Sequence, residues 1–196
     1  MDKIVLITGA SRGIGAATAL LAARQGWAVA VNYQGNQSAA DAVVQQIRDG
    51  GGTALAVQAD VADETQVLAM FAAVDAQLGR ITALVNNAGV VDRTQRVDEM
   101  SVARLRRMFD INVIGSFVCA REVAAEGIRV NAVRPGLIET DIHASGGLPD
   151  RVRDLAHLVP MQRGGTAEEV AEAIVWLMAD ASPYTTMSLL EVSGGR

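Results

Sequence analysis

A doubly wound α/β domain with a parallel sheet is predicted by three features of this sequence. Apolar runs of strand length alternate with segments of helical periodicity. A glycine-rich turn, Gly9-Ala10-Ser11-Arg12-Gly13-Ile14-Gly15, joins the first apolar run to the first helical segment. Half of the 196 residues are hydrophobic but only 4% are aromatic, so helices and sheet can pack through small side chains. Strands buried on both faces read as continuous apolar runs, as Ile4-Val5-Leu6-Ile7 does.

The elements follow in order. Residues 3–8 form the first strand and 13–25 the first helix, stopped near Gly26. The second strand is 27–33. Residues 37–49 are helical until Gly50-Gly51-Gly52 ends them, and 53–59 are the third strand. Asp63, with Gln66 three residues on, caps a helix over 64–78 that Gly79 ends. The fourth strand is 81–86. Residues 101–126 are broadly helical, closing at Gly127. The fifth strand, 128–133, is stopped by Pro135-Gly136, and 148–158 form a short helix. Thr166 and Glu169 make a capping box for a helix running to about Ala179, with Val170, Ile174, Leu177 and Met178 inward. Residues 188–192 are the last strand. No linker, repeat or low-complexity tract divides 1–196, which read as one domain.

Composition excludes several classes of function. The net charge is −5 and no basic run occurs, so nucleic acid is not an expected partner. No apolar stretch reaches the ~20 residues of a membrane-spanning helix. Met1-Asp2-Lys3 leads into a run that Gly9 interrupts too early for a signal peptide. The single cysteine, Cys119, excludes an internal disulfide and fits a reducing cytoplasm. No metal site is expected.

The glycine turn is the main functional signal. Gly9, Gly13 and Gly15 stand where the chain leaves a strand, turns and starts a helix. A side chain there would block a pyrophosphate from the backbone N–H groups, and the helix N-terminus offers unpaired donors and partial positive charge. A dinucleotide is the expected ligand. The second strand ends Val31-Asn32-Tyr33-Gln34, without the acid that would accept the ribose hydroxyls of NAD. Arg12 sits inside the turn, where it can pair with a 2′-phosphate. These residues favour NADP over NAD, with Arg12 as a solvated turn residue the alternative.

Four motifs then occur in a telling order: the glycine turn, Asp60-Val61 after the third strand, Asn86-Asn87-Ala88-Gly89 after the fourth, and Pro135-Gly136 after the fifth. In this the chain resembles the short-chain dehydrogenase/reductase family, and within it the 3-oxoacyl-carrier-protein reductase and glucose-dehydrogenase-like branch. The likeness covers nearly the whole chain. It implies a Rossmann-like sheet of order 3-2-1-4-5-6 and hydride exchange between a nicotinamide and a small carbonyl or alcohol substrate. It implies cofactor contacts from Gly9, Ser11, Arg12, Gly13, Ile14 and Gly15, and from Asn32 at the end of the second strand. Asp60 would meet the adenine with Val61 beside it. Asn86, Ala88 and Gly89 would line the ribose, Pro135 and Gly136 the nicotinamide, and Thr140 would reach the carboxamide or a phosphate. Asn112 matches the asparagine that holds a proton-relay water; without the family it reads as a polar residue satisfied within a helix.

The chain also departs from the family. Lys3 is its only lysine, and Tyr33 and Tyr184 are its only tyrosines, so the family's Tyr-x-x-x-Lys has no counterpart, and the resemblance implies that the catalytic serine of the same segment is missing with it. That segment belongs between Asn112 and Pro135. Ala120-Arg121-Glu122 reads as the join of an in-frame deletion, at 119–122, that removes one strand and parts of two helices. The fused helix still makes one β-α-β crossover, so the sheet is expected to close up or to leave a gap. Strand 128–133 is then expected beside 81–86 or one slot away. A general acid contributes ~10²–10⁴-fold to such chemistry. Tyr184 reads as a packing or capping residue and Cys119 as core. His143 reads as a solvated loop residue that could serve as acid–base. Two readings stay open: an NADP-dependent oxidoreductase, and a cofactor-binding derivative with weak or no activity. Met187 stands where the family has glycine before the last strand. A homodimer through the 167–179 helix and the last strand is expected, with the family's tetramer contact absent or rebuilt. Substrate selection falls to 138–162, where Leu148, Leu155, Leu158 and Met161 read equally as apolar lid or as core.

Overall fold

The computed structural model describes residues 3–124 and 129–196. Its first half alternates strictly: β1 (Ile4–Ile7), α1 (Gly13–Arg24), β2 (Ala28–Tyr33), α2 (Gln37–Asp49), β3 (Ala54–Gln58), α3 (Glu64–Gln77) and β4 (Ala83–Val85). The four strands pair in parallel in the order β3-β2-β1-β4. Successive residues of a strand point to opposite faces. Val5 and Ile7 therefore pack with α1 and α2, whereas Ile4 and Leu6 pack with α3. Burial on both faces is why β1 carries no polar residue.

The second half is more broken. After β4 come α4 (Val102–Phe109), a wide π-type turn at Asp110–Ile114, and α5 (Gly115–Arg121). Then follow β5 (Ala132–Pro135), the short α6 (Ile142–Ser145) and α7 (Arg151–Leu155), α8 (Ala167–Met178) and β6 (Leu189–Val192). α8 lies on the α1 face and α5 on the α3 face. Side chains hold the helix starts as the sequence suggests. Asp63 accepts from the Gln66 N–H, and Thr166 and Glu169 form the reciprocal capping box.

Three boundaries differ from expectation. The fifth strand starts at Ala132, because Val130 and Asn131 bond first to the turn before β6. The Val130 N–H donates to Thr186 Oγ1 at 3.2 Å and Asn131 Nδ2 to the Thr185 carbonyl at 2.9 Å. The 101–126 helix is divided by the π-type turn and ends at Arg121; Glu126, Gly127 and Ile128 lie outside the described residues. The 148–158 helix begins only at Arg151, because Gly147, with φ +78°, makes a left-handed turn before it.

The sheet does not close up. β5 pairs with β6 alone, in a separate two-stranded parallel sheet, so among the described residues no strand joins β4 to β5. The gap is the second of the two outcomes that the deletion reading allows. Met187 has φ +57°, the left-handed conformation that glycine takes without strain. Its N–H donates to the Val130 carbonyl at 2.6 Å, which ties the turn to the residues before β5.

Candidate cofactor site

The strands β1–β4 all end at one cavity of about 1280 Å³. It lies where the chain order reverses, β2 and β4 flanking β1, and ligands of open α/β sheets bind at such a crevice. The glycine turn forms its floor. Gly9 has φ +62°, and a Cβ on it would stand 2.8 Å from Ala88 Cα. A Cβ on Gly15 would stand 2.5 Å from Asn87 Nδ2 and 2.7 Å from the Gly9 carbonyl oxygen. Close approach of backbone to backbone therefore requires both glycines. The first N–H groups of α1 have no intrahelical partner, and its first turn holds no acidic residue to compete for them. This is the donor set that a pyrophosphate needs, so the residues present fit a dinucleotide.

A polar latch fixes the turn. Thr8 Oγ1 accepts from the N–H groups of Asn87 and Ala88 at 3.0 and 2.9 Å. Asn87 Nδ2 donates back to the carbonyls of Thr8 and Gly9 at 2.9 and 3.1 Å. Neither residue stood among the expected site residues, although Asn87 lies inside the Asn86-Asn87-Ala88-Gly89 motif and Thr8 directly precedes the glycine turn. Asn32 is 1% exposed. Its Oδ1 accepts from the Gly9 N–H at 3.1 Å, while Nδ2 donates to the Val57 and Ala59 carbonyls at 3.3 and 3.1 Å. The side chain thus ties the turn to β2 and β3.

The other expected residues divide between the cavity wall and its supports. Ser11, Gly13 and Ile14 line the cavity on the α1 side, and Asp60 and Val61 at the end of β3. Ala88 and Gly89 continue the wall past β4, and Pro135 and Thr140 close it from the β5 side. A Cβ on Gly13 would stand 3.4 Å from Thr140 Cγ2, so turn and loop meet there. Asp60 Oδ2 accepts from Gln34 Nε2 at 2.9 Å. The Asn86 amide donates to the Ser116 carbonyl at 3.0 Å, tying β4 to α5. Asn112 sits in the π-type turn and clamps Val90, accepting from its N–H at 2.8 Å and donating to its carbonyl at 2.9 Å. Gly136 turns away from the cavity and packs on Ser193; a Cβ on it would stand 2.7 Å from Ser193 Cα. Arg12 is exposed at the rim and makes no ion pair among the described residues.

No tyrosine stands beside a lysine. Tyr33 is buried in β2, Tyr184 is fully exposed, and Lys3 lies at the far end of β1, 5.8 Å from the Trp27 ring centroid. His143 faces a smaller cavity and its Nε2 is 2.9 Å from the Ile138 carbonyl oxygen. Cys119 is buried, and burial, with a smaller push from Glu122, raises its thiol to about 11. A thiol that stays protonated is a poor nucleophile. At pH 8 a maleimide should leave Cys119 unmodified in the folded chain and label it in urea; rapid labelling of the native chain would contradict this burial.

The comparisons with known proteins agree with this geometry. Residues 3–126 match the family model described as short chain dehydrogenase. Residues 118–196 match one described as Enoyl-(Acyl carrier protein) reductase. The chain belongs to the short-chain dehydrogenase/reductase family. This short-chain dehydrogenase/reductase is 42% identical over 245 residues to YgfF, an uncharacterized oxidoreductase of Escherichia coli, covering 98% of this chain and 99% of that one. It is 32% identical over 244 residues to the 3-oxoacyl-[acyl-carrier-protein] reductase of Staphylococcus aureus, covering 100% and 98%. A solved short-chain dehydrogenase/reductase from Serratia marcescens superposes with a TM-score of 0.88 at 27% identity, covering 98% and 97%. The first two alignments are longer than the 196 residues here, so this family member is shorter than those relatives inside the matched region.

Proposed function

We propose that the chain holds NADP or NADPH in the β1–β4 cavity and retains the cofactor half of oxidoreductase chemistry with little or no proton transfer. The observation that carries the reading is one cavity that gathers the cradle residues but no tyrosine–lysine pair. Bound there, the nicotinamide would supply or accept a hydride at the carbon of a small carbonyl or alcohol. The chain's own residues would grip the pyrophosphate at α1 and hold the adenine near Asp60. Among the described residues no tyrosine–lysine pair is placed to exchange the hydroxyl proton.

The deletion reading is supported by the two family matches, which meet at 118–126, and by the shorter length. Arg121 ends α5 at that place and pairs with Glu64 at 2.7 Å, so a join there is compatible with a well-seated helix. The phosphorylated cofactor is favoured by Arg12 at the rim and by the lack of an acid at the end of β2. A homodimer through α8 and β6 is favoured by Trp176 and Leu189, 45% and 57% exposed on that side. The buried free thiol suits a cytoplasmic setting.

Titration with NADPH and NADH, read by fluorescence or calorimetry, tests the cofactor reading. NADPH should bind more tightly. Arg12→Ala should weaken NADPH about tenfold, or ~1.4 kcal/mol, and leave NADH unchanged. Equal affinities in the unaltered chain would remove the case for NADP.

A further inference from the structure

The deep end of the cavity runs between two open strand edges. Ala83, Leu84 and Val85 of β4 line one side, and Ala132 and Val133 of β5 the other. Both strands point toward the cofactor cradle, since β4 leads into Asn86 and β5 ends at Pro135. Ile174 and Leu177 of α8 close one face of this slot, and Ile111, Ala120 and Val123 close the other.

Its edges are polar in a regular way. The Ala132 N–H donates to the Ser188 carbonyl and the Gly136 N–H to the Val192 carbonyl. Even-numbered residues of β5 therefore face β6, and by alternation Val133 turns its N–H and C=O into the slot. β4 pairs with β1 alone among the described residues, so its other edge faces the slot as well. A hydrocarbon would suit the two apolar faces and leave both rows of backbone groups without partners, which is costly once they are buried. A further β-strand satisfies faces and edges together. The place where the relatives' additional residues would enter is also at hand. The family matches meet at 118–126, and Ala120 and Val123 of that stretch line the slot.

We propose that this slot binds an extended, apolar segment of another polypeptide, running parallel to β4 and β5. The length and identity of the segment rest on the deletion reading above; the slot itself does not. The probe is a fluorescein-labelled synthetic peptide with the residues of the Escherichia coli relative that align opposite the gap in this chain. Fluorescence anisotropy follows binding, and hydrogen exchange is read at 83–85 and 132–134. The expected result is saturable binding with exchange slowed about tenfold or more at both edges. A scrambled peptide of the same composition should not bind. Val133→Pro removes one N–H that faces the slot and none that faces β6, so it suits an edge strand and should weaken binding about tenfold, ~1.4 kcal/mol. Absence of saturable binding would overturn the proposal, as would equal binding of the scrambled peptide or protection away from the two edges. These arms use the unaltered chain and stand even if the proline variant unfolds. NADPH affinity measured without peptide separates failure of the slot from failure of the cofactor reading.

Discussion

Assayed on a panel of small carbonyl compounds beside the 3-oxoacyl-[acyl-carrier-protein] reductase of Staphylococcus aureus, this chain is expected to oxidise NADPH about 10²–10⁴-fold more slowly at saturation. That deficit corresponds to roughly 3–5 kcal/mol of barrier at ~1.36 kcal/mol per tenfold. Hydride donation to a carbonyl leaves an alkoxide unless a proton arrives with it. The groups that could deliver one are badly placed. Tyr184 is 101% exposed, Tyr33 lines the cavity at the end of β2 but is only 7% exposed and has no lysine beside it, and His143 opens on a different cavity. The loss should fall on kcat, with NADPH affinity retained, because the cradle and the proton donor are separate parts. Rates matching the relative's would sink the impaired-enzyme reading, and His143→Ala would then be the first variant to make.

Asn32→Ala is expected to lower unfolding stability by roughly 3 kcal/mol. One backbone N–H and two carbonyls lose their side-chain partner at a buried site, at ~1–3 kcal/mol each and with incomplete additivity. Urea unfolding measures the loss as a lower midpoint with little change in slope. NADPH should bind more weakly as well, because the Gly9 N–H is freed and the turn loosens. The resemblance places Asn32 against the cofactor. If the variant kept full stability and lost only affinity, direct contact would be the better account and the three-strand tie would be wrong.

Much of this was legible in the sequence because it rests on local chemistry. The apolar run of β1, the Asp63 and Thr166 caps and the glycine turn are each fixed by a few adjacent residues. The positions of Gly9 and Gly15 follow from what a turn and a close backbone approach demand. The roles of Asn32, Thr8 and Asn87 were not legible, since their partners lie far along the chain, at or just past the ends of other strands. Nothing in Val31-Asn32-Tyr33 says whether the amide points at a ligand or into the sheet. The start of β5 was misjudged for a similar reason. Ile128-Arg129-Val130 has strand character, but Thr185 and Thr186, far along the chain, claim Val130 and Asn131 before the ladder begins.

The split between β4 and β5 has a consequence for how the molecule comes apart. Cooperativity in a sheet passes through its ladder, and here the ladder stops at β4. Among the described residues no strand ladder joins the β5–β6 half to the rest; it is held by packing, with α8 on α1 and the 140–147 loop against Gly13 and residues 91–93. Such a half can open as a unit while the β1–β4 half stays folded. Thr140 and Pro135 travel with the half that opens, and the glycine turn stays with the other. A dinucleotide touching both would act as a clasp, and its apparent affinity would carry the cost of the fraction of molecules found open. Ligand and fold would then be measured by the same experiment: the free energy of that opening, read with and without NADPH.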